Sequence, residues 1–229
     1  MKLDYLNGTA YKIEQPEEMY HFNSDTELLG RFVRLNAADI VLDIGCATGA
    51  LLCYAASQNP AKLYGIDLFP EVIHQAEKNL TMNQIAAKLK IVRLQEYHPS
   101  IRFDVILCNP PYFATKKEEL KNTNPILAAA RHESYLCLED LFCCVSSLLN
   151  NTGAFYLVHR ADRIPELLYT AEKYDLRPVR MRITYKTVHG DAVGVLLCFE
   201  KGTGRQMKLE SPVFLDDHRT FGTMEGEGK

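Results

Sequence analysis

The chain lacks any apolar stretch that approaches the roughly 18 residues needed for a membrane-spanning helix, which argues against a helical membrane protein. It also lacks a C-x-x-C pair. Its seven cysteines are odd in number, which argues against both a disulfide framework and a zinc ribbon, and no metal site is expected. The first residues have no apolar core of the kind a signal peptide needs and carry Asp4, Glu14, Glu17 and Glu18 instead, so a cytoplasmic location is expected. There is no internal repeat, and no linker rich in Gly, Ser or Pro divides the 229 residues. A chain of this length can bury one substantial core. Its hydrophobic fraction of 47% and charged fraction of 24% are those of a soluble globular protein. We therefore expect a single domain, with an N-terminal lid and helix over 1–36, a core over 37–215 and a flexible tail over 216–229. Cys143 and Cys144 are expected as small buried apolar residues on a helix, and Cys46 as a filler in a loop.

What the chain does have is alternation. Asn23-Ser24-Asp25 before Thr26 to Val33 reads as a capped helix start, with Ser24 or Asp25 as N-cap. Strands are expected at 40–44, 63–66, 89–93 and 104–108, with helices around 49–58 and 71–82 between them. A helix over 138–149, a strand at 154–158 and a helix over 164–174 follow. Two strands, 179–186 and 193–200, are joined by a turn containing His189-Gly190-Asp191. The pattern predicts an α/β fold of Rossmann-like type: a mostly parallel seven-stranded sheet with helices on both faces, finishing in an antiparallel hairpin.

Two segments carry chemistry. Asn109-Pro110-Pro111-Tyr112 follows the apolar run Val105 to Cys108, and the prolines restrict Asn109 and Pro110 to extended geometry. The carboxamide oxygen of Asn109 and the carbonyl of Pro110 can each accept one hydrogen of a planar NH2 group, while the Tyr112 ring offers a face for a base. Read alone, the tetrapeptide is also compatible with a Pro-rich loop that merely ends a strand. The second segment, Asp43-Ile44-Gly45-Cys46-Ala47-Thr48-Gly49, is a glycine-punctuated turn between an apolar run and a helical pattern, where an anionic group is expected to bind. About 20 residues later Asp67 ends another strand, where a ribose-binding carboxylate sits in nucleotide-binding βαβ units. The glycines at 45 and 49 do not have dinucleotide-site spacing.

Together these segments resemble the class I S-adenosylmethionine-dependent methyltransferases. The resemblance implies that Asp43, Gly45, Cys46, Ala47 and Gly49 form the cofactor loop, with Ala47 where a middle glycine is usual. It also implies that Asp67, with Leu68 beside it, meets the ribose, and that Asn109 to Tyr112 is the amino-methyltransferase motif. Family members usually place another acid after the third strand to hold the adenine amine. No Asp follows residues 89–94, and Glu96 is the candidate. The order of Phe22 to Asp25, Asn109 to Phe113, Ala130-Arg131-His132-Glu133, Val158-His159-Arg160 and Lys201-Gly202-Thr203-Gly204 is similar to that in bacterial tRNA1(Val) adenine-N6 methyltransferases and their close relatives. That resemblance implies a tRNA substrate, methylated at N6 of adenosine at position 37 of the anticodon loop. Asn109, Pro110 and Tyr112 would be catalytic, Phe22 and Asp25 part of a lid, and Pro111, Phe113, Arg131 and His132 close to substrate.

Charge supports a nucleic-acid partner. Net charge is −3, yet residues 177–208 hold seven basic residues against two acidic ones. Arg180, Arg182, Lys186 and Arg205 are the candidate phosphate contacts, a solvated hairpin face being the alternative. Two further readings stay open: methylation of rRNA or of a protein glutamine, and a non-catalytic cofactor- or RNA-binding module.

Overall fold

The computed structural model describes residues 2–16, 19, 21–110, 136–202 and 206–216. An N-terminal hairpin, β1 (Lys2–Tyr5) and β2 (Lys12–Gln15), precedes helix α1 (Ser24–Phe32). Then come β3 (Ile40–Ile44), α2 (Ala50–Ala56), β4 (Lys62–Asp67), α3 (Pro70–Met82), β5 (Lys88–Ile91) and β6 (Phe103–Cys108). The second half contains α4 (Leu138–Leu148), β7 (Leu149–Arg160), α5 (Ile164–Lys173), β8 (Leu176–Tyr185) and β9 (Ala192–Lys201). Two short strands, β10 (Lys208–Leu209) and β11 (Val213–Phe214), follow.

Across the main sheet the order is β5-β4-β3-β6-β7-β9-β8. The first five strands of that order run parallel, and β9 is antiparallel to both β7 and β8. This is the expected mostly parallel sheet with an antiparallel finish. The sheet goes further than seven strands because β10 and β11 each add to β8 in parallel. Two-residue strands have no periodicity for sequence reasoning to detect.

Both faces are covered, as the continuous apolar strands require. On one, α1, α2 and α3 pack over Val41, Val105, Leu107, Tyr156 and Leu196. On the other, α4 and α5 cover Leu42, Ile106, Phe155, Leu157 and Leu197. In α3, Val72, Ile73, Ala76 and Leu80 recur at helical spacing to form the buried stripe, and Pro70 starts the helix where its missing N–H costs nothing. No helix among the described residues is long and apolar enough to cross a membrane.

Three expectations need correction. The cap of α1 is Asn23, not Ser24 or Asp25: its side-chain oxygen accepts from the amides of Asp25 and Thr26 at 3.1 and 3.3 Å. Asn caps as well as Ser or Asp, and the extended backbone of Asn23 decides the matter. Cys143 is exposed and Cys144 only half-buried, because α4 turns Leu141, Phe142 and Val145 toward the sheet. Residues before α1 include a β-hairpin that the sequence reading did not anticipate. The 217–229 segment, which contains most of the expected tail, lies outside the described residues.

Gly30 sets the distance between α1 and α2. A Cβ there would lie 2.3 Å from Cγ and 2.7 Å from Cβ of Tyr54, the root of that side chain rather than its mobile end. Gly30→Ala should therefore destabilise by about 1–3 kcal/mol through overpacking, outweighing the gain of about 1 kcal/mol in helix propensity. Urea unfolding measures the balance; an unchanged or raised midpoint would show that the helices separate without cost.

Candidate active site

Strand β3 lies between β4 and β6, and Ile44 is in register with Ile66 on one side and Cys108 on the other. The chain therefore leaves the three strands within one residue of the same level, bringing the 45–49 loop, Asp67 and Asn109 to the carboxyl edge of the sheet. In open α/β sheets this edge is where ligands bind.

The loop after β3 is held mostly by its own backbone. The amides of Gly45 and Cys46 both donate to the Ile66 carbonyl, at 2.9 and 3.0 Å, and Gly49 donates to Cys46 at 2.8 Å. Gly45 and Gly49 have φ of +70° and +90°, and Ala47 takes φ of +46° without being glycine. Ala47 is compensated by its amide, which donates to Oδ2 of Asp67 at 3.1 Å. A Cβ on Gly45 would meet nothing within 4 Å, so Gly45 is required for conformation and leaves open space beside the loop. With the amides of Gly45, Cys46, Ala47 and Gly49 engaged, the donors that remain for an anion are the Thr48 amide and those of the first turn of α2, which no side chain caps. Fully buried Asn79 of α3 fixes the loop from behind, donating to the Thr48 carbonyl at 2.8 Å and to Glu14 at 3.1 Å while accepting from the Glu14 amide at 2.9 Å. Buried Cys46 fits against Gly65, where a Cβ would come within 3.0 Å of its Sγ.

Asp43 has no solvent exposure, and neither carboxylate oxygen has a hydrogen-bond partner among the described residues. Burial, and then the charge of Asp67, raise its pKa well above the usual 3.8. Asp67 is also raised by burial, opposed by the amides of Ala47, Phe69 and Leu68. Its Oδ1 accepts from Leu68 at 2.7 Å and from Phe69 at 3.3 Å. A carboxylate has about four lone-pair positions, so Asp67 keeps capacity for hydroxyl donors. A buried acid without partners suits a neighbouring cation, and a second acid at the edge suits a diol. S-adenosylmethionine, which carries ammonium, sulfonium and ribose hydroxyls, fits this pair. The thiols of Cys46 and Cys108 are pushed up by burial and by Asp43, so they are poor nucleophiles.

Asn109 is half-buried just past β6, and its Nδ2 donates to Oγ1 of Thr26 at 3.0 Å. Thr26 was missed by sequence reasoning; it lies 83 positions away and no spacing rule links the two. Pro110 is buried beside Asn109, while Pro111, Tyr112, Phe113, Arg131 and His132 fall outside the described residues. Phe22 donates its amide to Oε1 of buried Gln15 at 2.8 Å, and Asp25 lies in the first turn of α1, so the expected lid is anchored to the N-terminal hairpin. Glu96 is exposed in the short 3-10 turn Leu94–Glu96 after β5. His159 closes β7; burial first, then Arg163, pushes its pKa down to about 4, leaving it neutral at pH 7.

The basic segment divides. Arg180 Nε and Arg182 Nη2 donate to the two oxygens of buried Glu210 at 2.7 and 2.6 Å, and Arg34 approaches at 3.7 Å. The Arg180 guanidinium also lies 4.1 Å from the centre of the Phe32 ring. These two arginines fasten β10 and α1 to β8 and are not free surface cations. Lys186 is exposed beside the β8–β9 turn, and Arg205 lies outside the described residues.

Because the folded pKa of Asp43 is raised, the folded chain binds more protons than the unfolded one above pH 3.8, and stability falls with rising pH until the folded pKa is passed. In that window Asp43→Asn should gain on the ligand-free native chain by about 1.4 kcal/mol per pH unit. Urea unfolding of both proteins across pH measures the difference; a difference independent of pH would show that Asp43 is ionised in the empty protein.

The methyltransferase small domain model matches residues 20–166. A tRNA1(Val) (adenine(37)-N6)-methyltransferase from Shewanella woodyi is 30% identical over 162 residues, covering 67% of this chain and 65% of that protein, just under two thirds of its length. The protein of the same name from Porphyromonas gingivalis is 29% identical over 193 residues, covering 79% of this chain and 74% of its own. Among solved structures, a predicted O-methyltransferase from Agrobacterium tumefaciens superposes with a TM-score of 0.65 at 17% identity, covering 84% of this chain and 88% of its own, a likeness of fold alone. Matched over most of its sheet and through the loop, Asp67 and Asn109, the chain belongs to the methyltransferase small domain family, whose members use S-adenosylmethionine.

Proposed function

We propose that this protein methylates the exocyclic N6 amine of an adenosine in tRNA, with anticodon-loop position 37 as the favoured site. The observation that carries the proposal is the placement of Asn109: a carboxamide fixed just past the end of β6, at the level where β3 ends at Ile44 and within one residue of the end of β4 at Asp67. The names borne by the Shewanella and Porphyromonas relatives support the choice of substrate.

S-adenosylmethionine supplies an electrophilic methyl group. Asp43 would balance its positive charge, the 45–49 loop and first turn of α2 would meet its carboxylate, and Asp67 would meet its ribose. An exocyclic amine is a weak nucleophile because its lone pair is delocalised into the ring. Asn109 Oδ1 and the Pro110 carbonyl would accept its two hydrogens, favour a pyramidal nitrogen and stabilise the positive charge that develops there. This interaction strengthens toward the transition state, so it acts on turnover more than on binding. Tyr112 would stack on the base. The N6 proton becomes acidic once the new bond forms and leaves to water, so no strong base is required.

Asn109→Ala should lower kcat by about 10²–10³ while cofactor and tRNA affinity barely change. Tritium transfer to tRNA and mass mapping of its nucleosides measure this. Label recovered only in rRNA or in protein glutamine would reassign the substrate, and full turnover by Asn109→Ala would remove the clamp.

Ion pairing also separates the basic residues. Lys186→Ala should reduce the slope of log tRNA affinity against log salt by about one unit if it meets a phosphate. Arg180→Ala should leave that slope alone and instead lower stability, because Glu210 loses a buried partner. Equal slope changes in the two variants would place the Glu210 cluster in the RNA interface.

A further inference from the structure

We propose that Thr26 is a positioning residue for methyl transfer: its hydroxyl fixes the plane of the Asn109 carboxamide and commits the nitrogen end to α1, so that the oxygen end is the acceptor for the target amine. This rests on the reading of Asn109 as the amine clamp.

The contact is one of well-fixed parts. Thr26 is 6% exposed, and its amide is held by the Asn23 cap. The residue after it, Glu27, accepts from Asn7 at 3.2 Å and pairs with Arg31 at 2.7 Å, while Leu28, Leu29 and Phe32 bury the helix in the core. A threonine side chain in a helix is confined to about two rotamers, so for a fixed backbone Oγ1 has few positions open to it, and the one it takes here meets Asn109. Asn109, by contrast, lies past the end of its strand, and the terminal torsion of an asparagine is broad and roughly two-fold. Left to itself, the carboxamide can present its NH2 end to a substrate NH2, setting donor against donor. The 3.0 Å bond from Nδ2 to Thr26 removes that freedom. Catalytic groups must be held within a fraction of an ångström and some tens of degrees, and here the second point of support is a helix that sequence separation gives no reason to associate with the clamp.

Thr26→Val keeps the shape of the side chain and deletes the hydroxyl; Thr26→Ser keeps the hydroxyl and deletes the methyl. In the full chain, we expect Thr26→Val to lower kcat for methyl transfer to tRNA by about tenfold, with tRNA KM and calorimetric S-adenosylmethionine affinity within about twofold of native. Thr26→Ser should recover kcat to within about threefold. Since Thr26 acts through Asn109, adding Thr26→Val to Asn109→Ala should cost no more than Asn109→Ala alone. If Thr26→Val folds poorly, Thr26→Ala carries the same expectations.

Native kcat in Thr26→Val beside a crippled Asn109→Ala would overturn the role of Thr26 and leave the clamp standing. So would a Thr26→Val loss that multiplies with that of Asn109→Ala, or one that Ser does not rescue. Native turnover in Asn109→Ala would instead overturn the clamp, and this proposal with it.

Discussion

The site depends on the shared register of three parallel strands. Because Ile44, Ile66 and Cys108 stand side by side, the turns that follow β3, β4 and β6 begin within one residue of one another. A one-residue slip in any of them would exchange buried and opposite faces along its whole length. It would also move Asp43, Asp67 or Asn109 away from the others. The apolar residues that cover both faces of the sheet are thus what keep the three polar side chains in common range. The close fit of Cys46 against Gly65 ties the loop to the neighbouring strand in the same way.

Asp43 is a burden on the stability of the empty protein. A carboxyl group with no exposure and no partner is a costly thing to enclose in the middle of a sheet, and a hydrophobic residue there would serve folding better. Under the function proposed above, the enclosed charge would acquire a counter-charge from the cofactor. Asp67 is handled differently. Three backbone amides meet it, so it is useful to the empty protein as a fastening for Ala47 and available to a ligand through its remaining lone pairs.

Much of this was legible in the sequence. The runs at 40–44, 63–66 and 104–108 were continuous enough to be read as buried parallel strands, and the acids and Asn109 could be placed at their ends. Periodicity failed where elements were too short or too exposed to show it, as with β10, β11 and the N-terminal hairpin. Charge composition met a different limit at Arg180 and Arg182. Their composition suggested phosphate contacts, but Glu210, about 30 positions on, comes back beside β8 and takes both guanidiniums. A count of charges gives a local balance and says nothing of which partner a strand pairing will return. The link between Thr26 and Asn109 is hidden for the same reason: it is a contact of the fold and not of the chain.

The Asn79 fastening has a consequence for assembly. Besides its ladder with β1, strand β2 takes polar contacts from α3, through Asn79 at a separation of 65 residues and Asn83 at 71. An isolated two-stranded hairpin is marginal in water. During synthesis β1 and β2 must wait for α3, and closing so long a loop is slow compared with forming the helix itself. The hairpin and the 45–49 loop would then become ordered in the same late step, since the Asn79 side-chain amide holds both.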